Sequence, residues 1–129
     1  MFNINFKSHI PIYAQIVELT QNKICEGYFS EGDSLPSTRS LAAEIGVNPN
    51  TIMKAYQLLE AEDIITTRRG KGVYITAAAH KICAKNQTSA YLSEFKKLVR
   101  QLKNLNISDD QLIEIINSIY FKQTKAVQR

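Results

Sequence analysis

Gly46-Val47-Asn48-Pro49 is the stretch that most limits what this chain can become. A glycine permits the positive φ that closes one helix. Two residues later Asn, a favoured N-cap, and Pro, whose missing N–H is harmless at the first helical position, open another. The spacing predicts two short helices joined by a sharp turn. The helix before the turn takes Ser37 or Thr38 as its cap and buries Leu41, Ala42 and Ile45, leaving Arg39, Ser40 and Glu44 outside. The helix after it buries Ile52, Ala55, Tyr56 and Leu59, which fall on one face at steps of three and four. Asn50, Met53, Lys54 and Gln57 lie on the opposite face, with Thr51 at the helix entrance. A β-hairpin follows, with arms Ile64-Ile65-Thr66-Thr67 and Val73-Tyr74-Ile75 around a tip of Arg68-Arg69-Gly70-Lys71-Gly72.

The flanks add three further helices. The first is expected to begin at Pro11 and run to about Glu26, with Gly27 ending it; Ile12, Ile16, Leu19 and Ile24 form its apolar side, widened by Tyr13, Val17 and Thr20. Gly27 to Ser34 reads as a loop, which Tyr28, Phe29 and Leu35 can pin to the core. After Thr76 the character changes, and Ala77-Ala78-Ala79 serves either as a connector or as the first turn of another helix. Beyond it Tyr91, Phe95, Leu98, Leu102 and Leu105 recur at alternating steps of four and three, the seam of a helix that packs on a partner helix, and Leu92 and Val99 broaden it. Ser108 with Gln111 forms a capping box, so a last helix carries Leu112, Ile115, Ile116 and Ile119. The division predicted is residues 1–76 and 77–129.

With 129 residues, 44% of them hydrophobic, the chain can bury a real core plus a modest appendage. No apolar run approaches the roughly 20 residues that span a bilayer, and the N-terminus has no secretory pattern, so a soluble cytoplasmic protein is expected. Cys25 and Cys83 lack the spacing of a zinc site and are read as free buried thiols. His9 and His80 stand alone, Asp109-Asp110 belong to the capping box, and no nucleophile motif or phosphate-cradling loop occurs; no catalytic residue, metal or cofactor is expected.

The net charge of +4 is unevenly spread. Residues 1–76 hold seven Lys or Arg against eight Asp or Glu, whereas residues 77–129 hold nine against four. Bulk charge therefore identifies no partner, and local placement decides: four of the seven N-terminal cations, Lys54, Arg68, Arg69 and Lys71, sit on the second helix of the pair and the hairpin tip. Only the major groove of DNA distinguishes all four base pairs, and a helix that reads it needs small or extendable polar groups near its N-terminal end. Asn50, Thr51 and Lys54 meet that demand. The hairpin tip fits a wing, with Arg69 and Gly70 for the minor groove and Arg68 and Lys71 for phosphates. Ser37, Thr38 and Arg39, at a helix N-terminus, can share a phosphate, although Ser37 also has a capping role to fill. The fold class expected is mainly α: a winged helix-turn-helix DNA-binding domain with a small C-terminal two-helix dimerisation segment.

These motifs resemble the GntR family of bacterial transcription regulators, in particular its short YtrA-type branch. The resemblance rests on Pro11-Ile12-Tyr13-x-Gln15-Ile16, Gly32-Asp33-x-Leu35-Pro36-Ser37-x-Arg39-x-Leu41-Ala42, Val47-Asn48-Pro49-Asn50-Thr51-Ile52-x-Lys54-Ala55-Tyr56-x-x-Leu59-Glu60 and Arg68-Arg69-Gly70-x-Gly72. It departs at Glu62-Asp63, where the family usually has Glu-Gly. The resemblance implies operator contacts at Arg39, Asn48, Asn50, Thr51 and the wing tip. It also implies a homodimer on palindromic double-stranded DNA, most simply a repressor, with a tail of the YtrA-type dimerisation kind. Two other readings stay open: a winged protein-interaction module, and a sensor whose tail holds an unknown small-molecule effector.

Overall fold

The computed structural model describes residues 2–122. It contains α1 (Ile12–Cys25), β1 (Ser34–Leu35), α2 (Thr38–Ile45), α3 (Pro49–Ala61), β2 (Ile65–Arg68), β3 (Gly72–Ile75), α4 (Ala79–Asn104) and α5 (Asp109–Tyr120). The chain divides into two compact units, the first ending at Gln87 and the second beginning at Thr88. The composition change after Thr76 and this division mark different things. Ala79 and Cys83, in the first turns of α4, are buried in the core of the first unit, and Asn86 donates to Gln21 of α1 at 2.8 Å.

The first unit follows the expected pattern closely. Pro11 caps α1 with an extended ψ of 148° instead of entering the helix as its first residue. The buried side of α1 includes two polar residues, Gln15 and Thr20, while Leu19 is only half-buried. Both polar groups are satisfied: Thr20 donates to the Ile16 carbonyl at 2.7 Å, and Gln15 accepts from the Asn5 amide at 2.9 Å while donating to the Asn5 and Ile10 carbonyls. A buried polar side chain with all its partners costs little, so Gln15 ties the N-terminal arm to α1 without weakening the core.

Ser37 caps α2, accepting from the Ser40 amide at 3.1 Å, and Gly46 leaves the helix at φ 86°. Asn48 caps α3 through the Asn50 amide at 2.8 Å, with Pro49 first in the helix. Ile52, Ala55, Tyr56 and Leu59 are all buried, together with Ile16, Ile24, Leu41, Ala42, Ile64 and Ile65. Tyr56 also donates its hydroxyl to the Pro36 carbonyl at 2.7 Å, fastening α3 to the entrance of α2.

Part of the expected loop is a strand. Ser34 pairs with Tyr74 and Leu35 with Val73, making an antiparallel sheet in the order β1-β3-β2. Two residues are too few for an alternating pattern, which is why the sequence shows no strand there. The hairpin arm starts at Ile65, not Ile64, and Arg68 belongs to it, paired with Gly72, so the turn itself is Arg69-Gly70-Lys71.

Asp63 leaves α3 with φ 65°. The Ile64 amide reaches back to the Leu59 carbonyl at 3.0 Å and the Asp63 amide to the Glu60 carbonyl at 3.0 Å. This is the helix-ending pattern that favours glycine at its left-handed position, so Asp63 keeps the turn into the wing that the usual glycine would make. Asn106 does the same after α4 at φ 65°, with Ile107 bonded to Leu102 and Asn106 to Lys103.

In the second unit the Ser108 hydroxyl caps α5 through the Gln111 amide at 3.2 Å. The apolar faces of α4 and α5 are largely open to solvent in the single chain: Tyr91, Leu92, Phe95, Leu98, Leu105, Ile115, Ile116 and Ile119 are exposed, and Val99, Leu102 and Leu112 half-buried.

Candidate nucleic-acid interface

Three surface elements of the first unit carry the predicted contact residues. At the α2 entrance Arg39 is exposed and Thr38 half-buried. The Ser37 hydroxyl is engaged, donating to Ser40 Oγ at 2.9 Å while it caps the helix, so capping accounts for this residue. On α3, Asn50, Met53, Lys54 and Gln57 are exposed and Thr51 half-buried, on the face opposite the core residues. The Oδ1 of Asn48 is committed to the cap.

Lys54 has a partner that its sequence position does not reveal. Its Nζ lies 3.9 Å from the centre of the Tyr13 ring on α1. Such a contact is worth about 0.5–1 kcal/mol at an exposed site, little enough for a stronger anionic partner to displace it.

The wing presents Arg68, Arg69 and Lys71, all exposed. Gly70 at φ 73° and Gly72 at φ 108° shape its turn, in conformations a side chain disfavours. Three contacts hold it. Glu60 Oε2, on the last turns of α3, accepts from the Thr67 amide of β2 at 2.9 Å. The Tyr74 hydroxyl donates to the Lys71 carbonyl at 2.6 Å, and the Arg68 guanidinium stacks over the Tyr74 ring at 5.3 Å. The sequence assigns neither Glu60 nor Tyr74 a functional role, although Glu60 ends the motif that starts at Val47; for Tyr74 the signal is the alternation of the arm, which places it on the side of the sheet away from Val73 and Ile75.

Elsewhere the chemistry is spare. Burial pushes the Cys83 thiol up to about 12, with smaller contributions from Cys25 and Glu62, and raises Cys25, which Glu26 raises further. Both thiols are free, Cys83 buried and Cys25 only half-buried. Among the described residues no group of three or more His, Cys, Asp or Glu could hold a metal ion, and no helix is long and apolar enough to cross a membrane.

A helix pair with a glycine turn, an open polar face on the second helix, and a cationic wing next in the chain define a winged helix-turn-helix DNA-binding transcription regulator. Residues 12–75 match the family model of bacterial regulatory proteins, gntR family. The chain is 36% identical over 119 residues to the HTH-type transcriptional repressor YtrA of Bacillus subtilis (strain 168), a span of 92% of each protein. The crystal structure of a transcriptional regulator from Oenococcus oeni is similar at a TM-score of 0.79 and 30% identity, covering 92% of this chain and 98% of that one. A GntR family transcriptional regulator from Listeria monocytogenes is similar at 0.71 and 32%, covering 88% and 98%. The chain belongs to the GntR family, and its relatives are transcription regulators, not enzymes.

Proposed function

We propose that this regulator is a repressor that binds a palindromic operator as a homodimer. Residues 1–76 form the DNA-binding domain, and residues 77–129 provide the dimerisation segment, of which 123–129 lie outside the described residues. Two α3 helices related by a two-fold axis enter successive major grooves, with half-site centres roughly 34 Å apart. Asn50, Thr51 and Lys54 read bases with Asn48 beside them. Arg39, with Thr38 and Ser37 at the α2 entrance, holds a phosphate, and Arg68, Arg69, Gly70 and Lys71 grip the flanking duplex.

The observation that carries this reading is the split of α3 into a fully buried face and a polar face open to solvent. Homodimerisation is supported by the exposed apolar seam of α4 and α5, too much apolar surface to leave in water. Repression is supported by the near full-length similarity to a relative that is a repressor.

Selection of duplexes from a random pool by the purified protein, followed by gel-shift titration on the selected and a scrambled duplex, tests the proposal. Asn50→Ala is expected to lose affinity for the selected duplex and little for the scrambled one, with a discrimination loss equivalent to about 1–3 kcal/mol. Equal losses on both duplexes, or no enrichment from the pool, would defeat base reading by α3.

A further inference from the structure

We infer that Tyr74 and Glu60 are the positioning residues of the wing: they fix where Arg68, Arg69 and Lys71 meet DNA without touching it themselves. The inference rests on the reading that the wing grips the duplex.

A three-residue turn can hold little by itself. Within the turn, the Lys71 amide bonds the Arg68 carbonyl at 2.9 Å, and Gly70 in it and Gly72 at the start of β3, both at positive φ, leave the backbone wide conformational freedom. Cations on such a tip would lose much of their binding to the entropy of being ordered on the DNA. Tyr74 counters this from the strand, at two points. Its hydroxyl bonds the Lys71 carbonyl at 2.6 Å, which fixes the far side of the turn, and its ring receives the Arg68 guanidinium at 5.3 Å, which fixes the near side. An added Cβ at Gly72 would stand 3.9 Å from this same ring, so the turn closes over the tyrosine.

Glu60 acts on the other arm. Its carboxylate accepts the Thr67 amide at 2.9 Å, one residue before Arg68. Because Glu60 is on α3, the bond couples the wing's first strand to the helix proposed to read bases. All of these groups are exposed or half-buried, so little of the core depends on them; their effect is on where the tip lies.

The test uses the full-length protein and a mixed-sequence duplex several helical turns long, so that no operator need be known. Affinity is measured against salt for wild type and for Arg69→Ala, Tyr74→Leu, Tyr74→Phe, Glu60→Ala and Glu60→Gln. Arg69→Ala reports on the wing itself: Arg69 is its groove contact, a cation seated between two phosphate rows, and the log–log salt slope falls by about 0.9 for each phosphate charge no longer neutralised. Tyr74→Leu is expected to flatten the slope at least as much as Arg69→Ala and to weaken binding on the order of tenfold. Tyr74→Phe, which keeps the ring, should fall between it and wild type. Glu60→Ala and Glu60→Gln carry the same charge, but only Gln retains an acceptor for the Thr67 amide, so Gln should restore most of the slope that Ala loses. Backbone relaxation at Gly70 and Gly72 should show added nanosecond motion in Tyr74→Leu and Glu60→Ala and none in Arg69→Ala.

A purely structural role would lower the melting temperature and leave the salt slope alone, and that result would overturn the inference. So would a wild-type slope in Tyr74→Leu when Arg69→Ala has lowered it. If Arg69→Ala itself changes neither slope nor affinity, the wing does not grip DNA, and both the underlying reading and the inference fall.

Discussion

Replacing Asp63 with glycine should stabilise the first unit, an unusual expectation for a glycine substitution. Asp63 sits at φ 65°, where an L-residue costs about 1–2 kcal/mol, with Asp at the low end because its short side chain tolerates the left-handed region. It also places a negative charge at the C-terminal end of α3, unfavourable by about 0.3 kcal/mol at an exposed position. Against these, glycine raises the entropy of the unfolded chain by about 0.4–1 kcal/mol. Every bond Asp63 makes in the turn is a backbone bond: its amide to Glu60 at 3.0 Å and its carbonyl to the Thr76 hydroxyl at 2.6 Å. All survive the change. The balance is a gain of about 0.3–0.9 kcal/mol, or roughly 2–5 °C in melting temperature for a unit of this size. Denaturant titration by circular dichroism, with amide exchange at the buried Ile52 and Leu59 to report on this unit, measures it. Asp63→Asn should recover only the charge part, and Asp63→Ala should destabilise. A glycine variant no more stable than wild type, or an alanine variant as stable, would refute the account of this turn.

Phe95→Glu places a charge in the middle of the α4 seam, where Phe95 is 48% exposed in the single chain. If that half of an aromatic side chain, roughly 100 Å², is covered in a dimer, its loss costs about 2.5 kcal/mol per protomer, and sedimentation should show monomer at concentrations where wild type is dimeric. In alkaline solution the unfolded chain ionises groups that the folded chain keeps neutral. The Cys83 thiol, ordinarily 9.0, is pushed up to about 12 by burial, and burial raises Tyr56 in the same direction. Stability from these groups is therefore fully present below about pH 9 and is lost as the pH rises from there towards 12. Cys83→Ala should remove the lower part of that decline, and denaturant midpoints taken at a series of pH values would show it.

The helix-turn-helix was legible because its signals are local. A cap at Ser37, a glycine at 46 and Asn48-Pro49 each act within a few residues, and the structure puts helix ends at those places. The α5 start at Ser108 was legible for the same reason. What the sequence concealed depends on partners far along the chain. β1 exists only because Ser34 and Leu35 meet Tyr74 and Val73. Arg68 reads as part of the tip until its pairing with Gly72 makes it a strand residue.

The candidate site divides along the same line, and the division says how the site works. Residues proposed to touch DNA could be picked out from charge and helical phase, since each must be polar, exposed and near a helix end or a turn. Those that hold them in place could not, because Glu60 under Thr67 and Tyr74 under Arg68 are chosen by geometry between elements. A contact residue can change with the operator while its support stays, since Glu60 and the Tyr74 hydroxyl bind backbone and not the base. On the proposed assignment, altering the DNA sequence this protein prefers should require changes at Asn50, Thr51 and Lys54, whereas changes at Tyr74 and Glu60 should weaken its hold on every sequence alike.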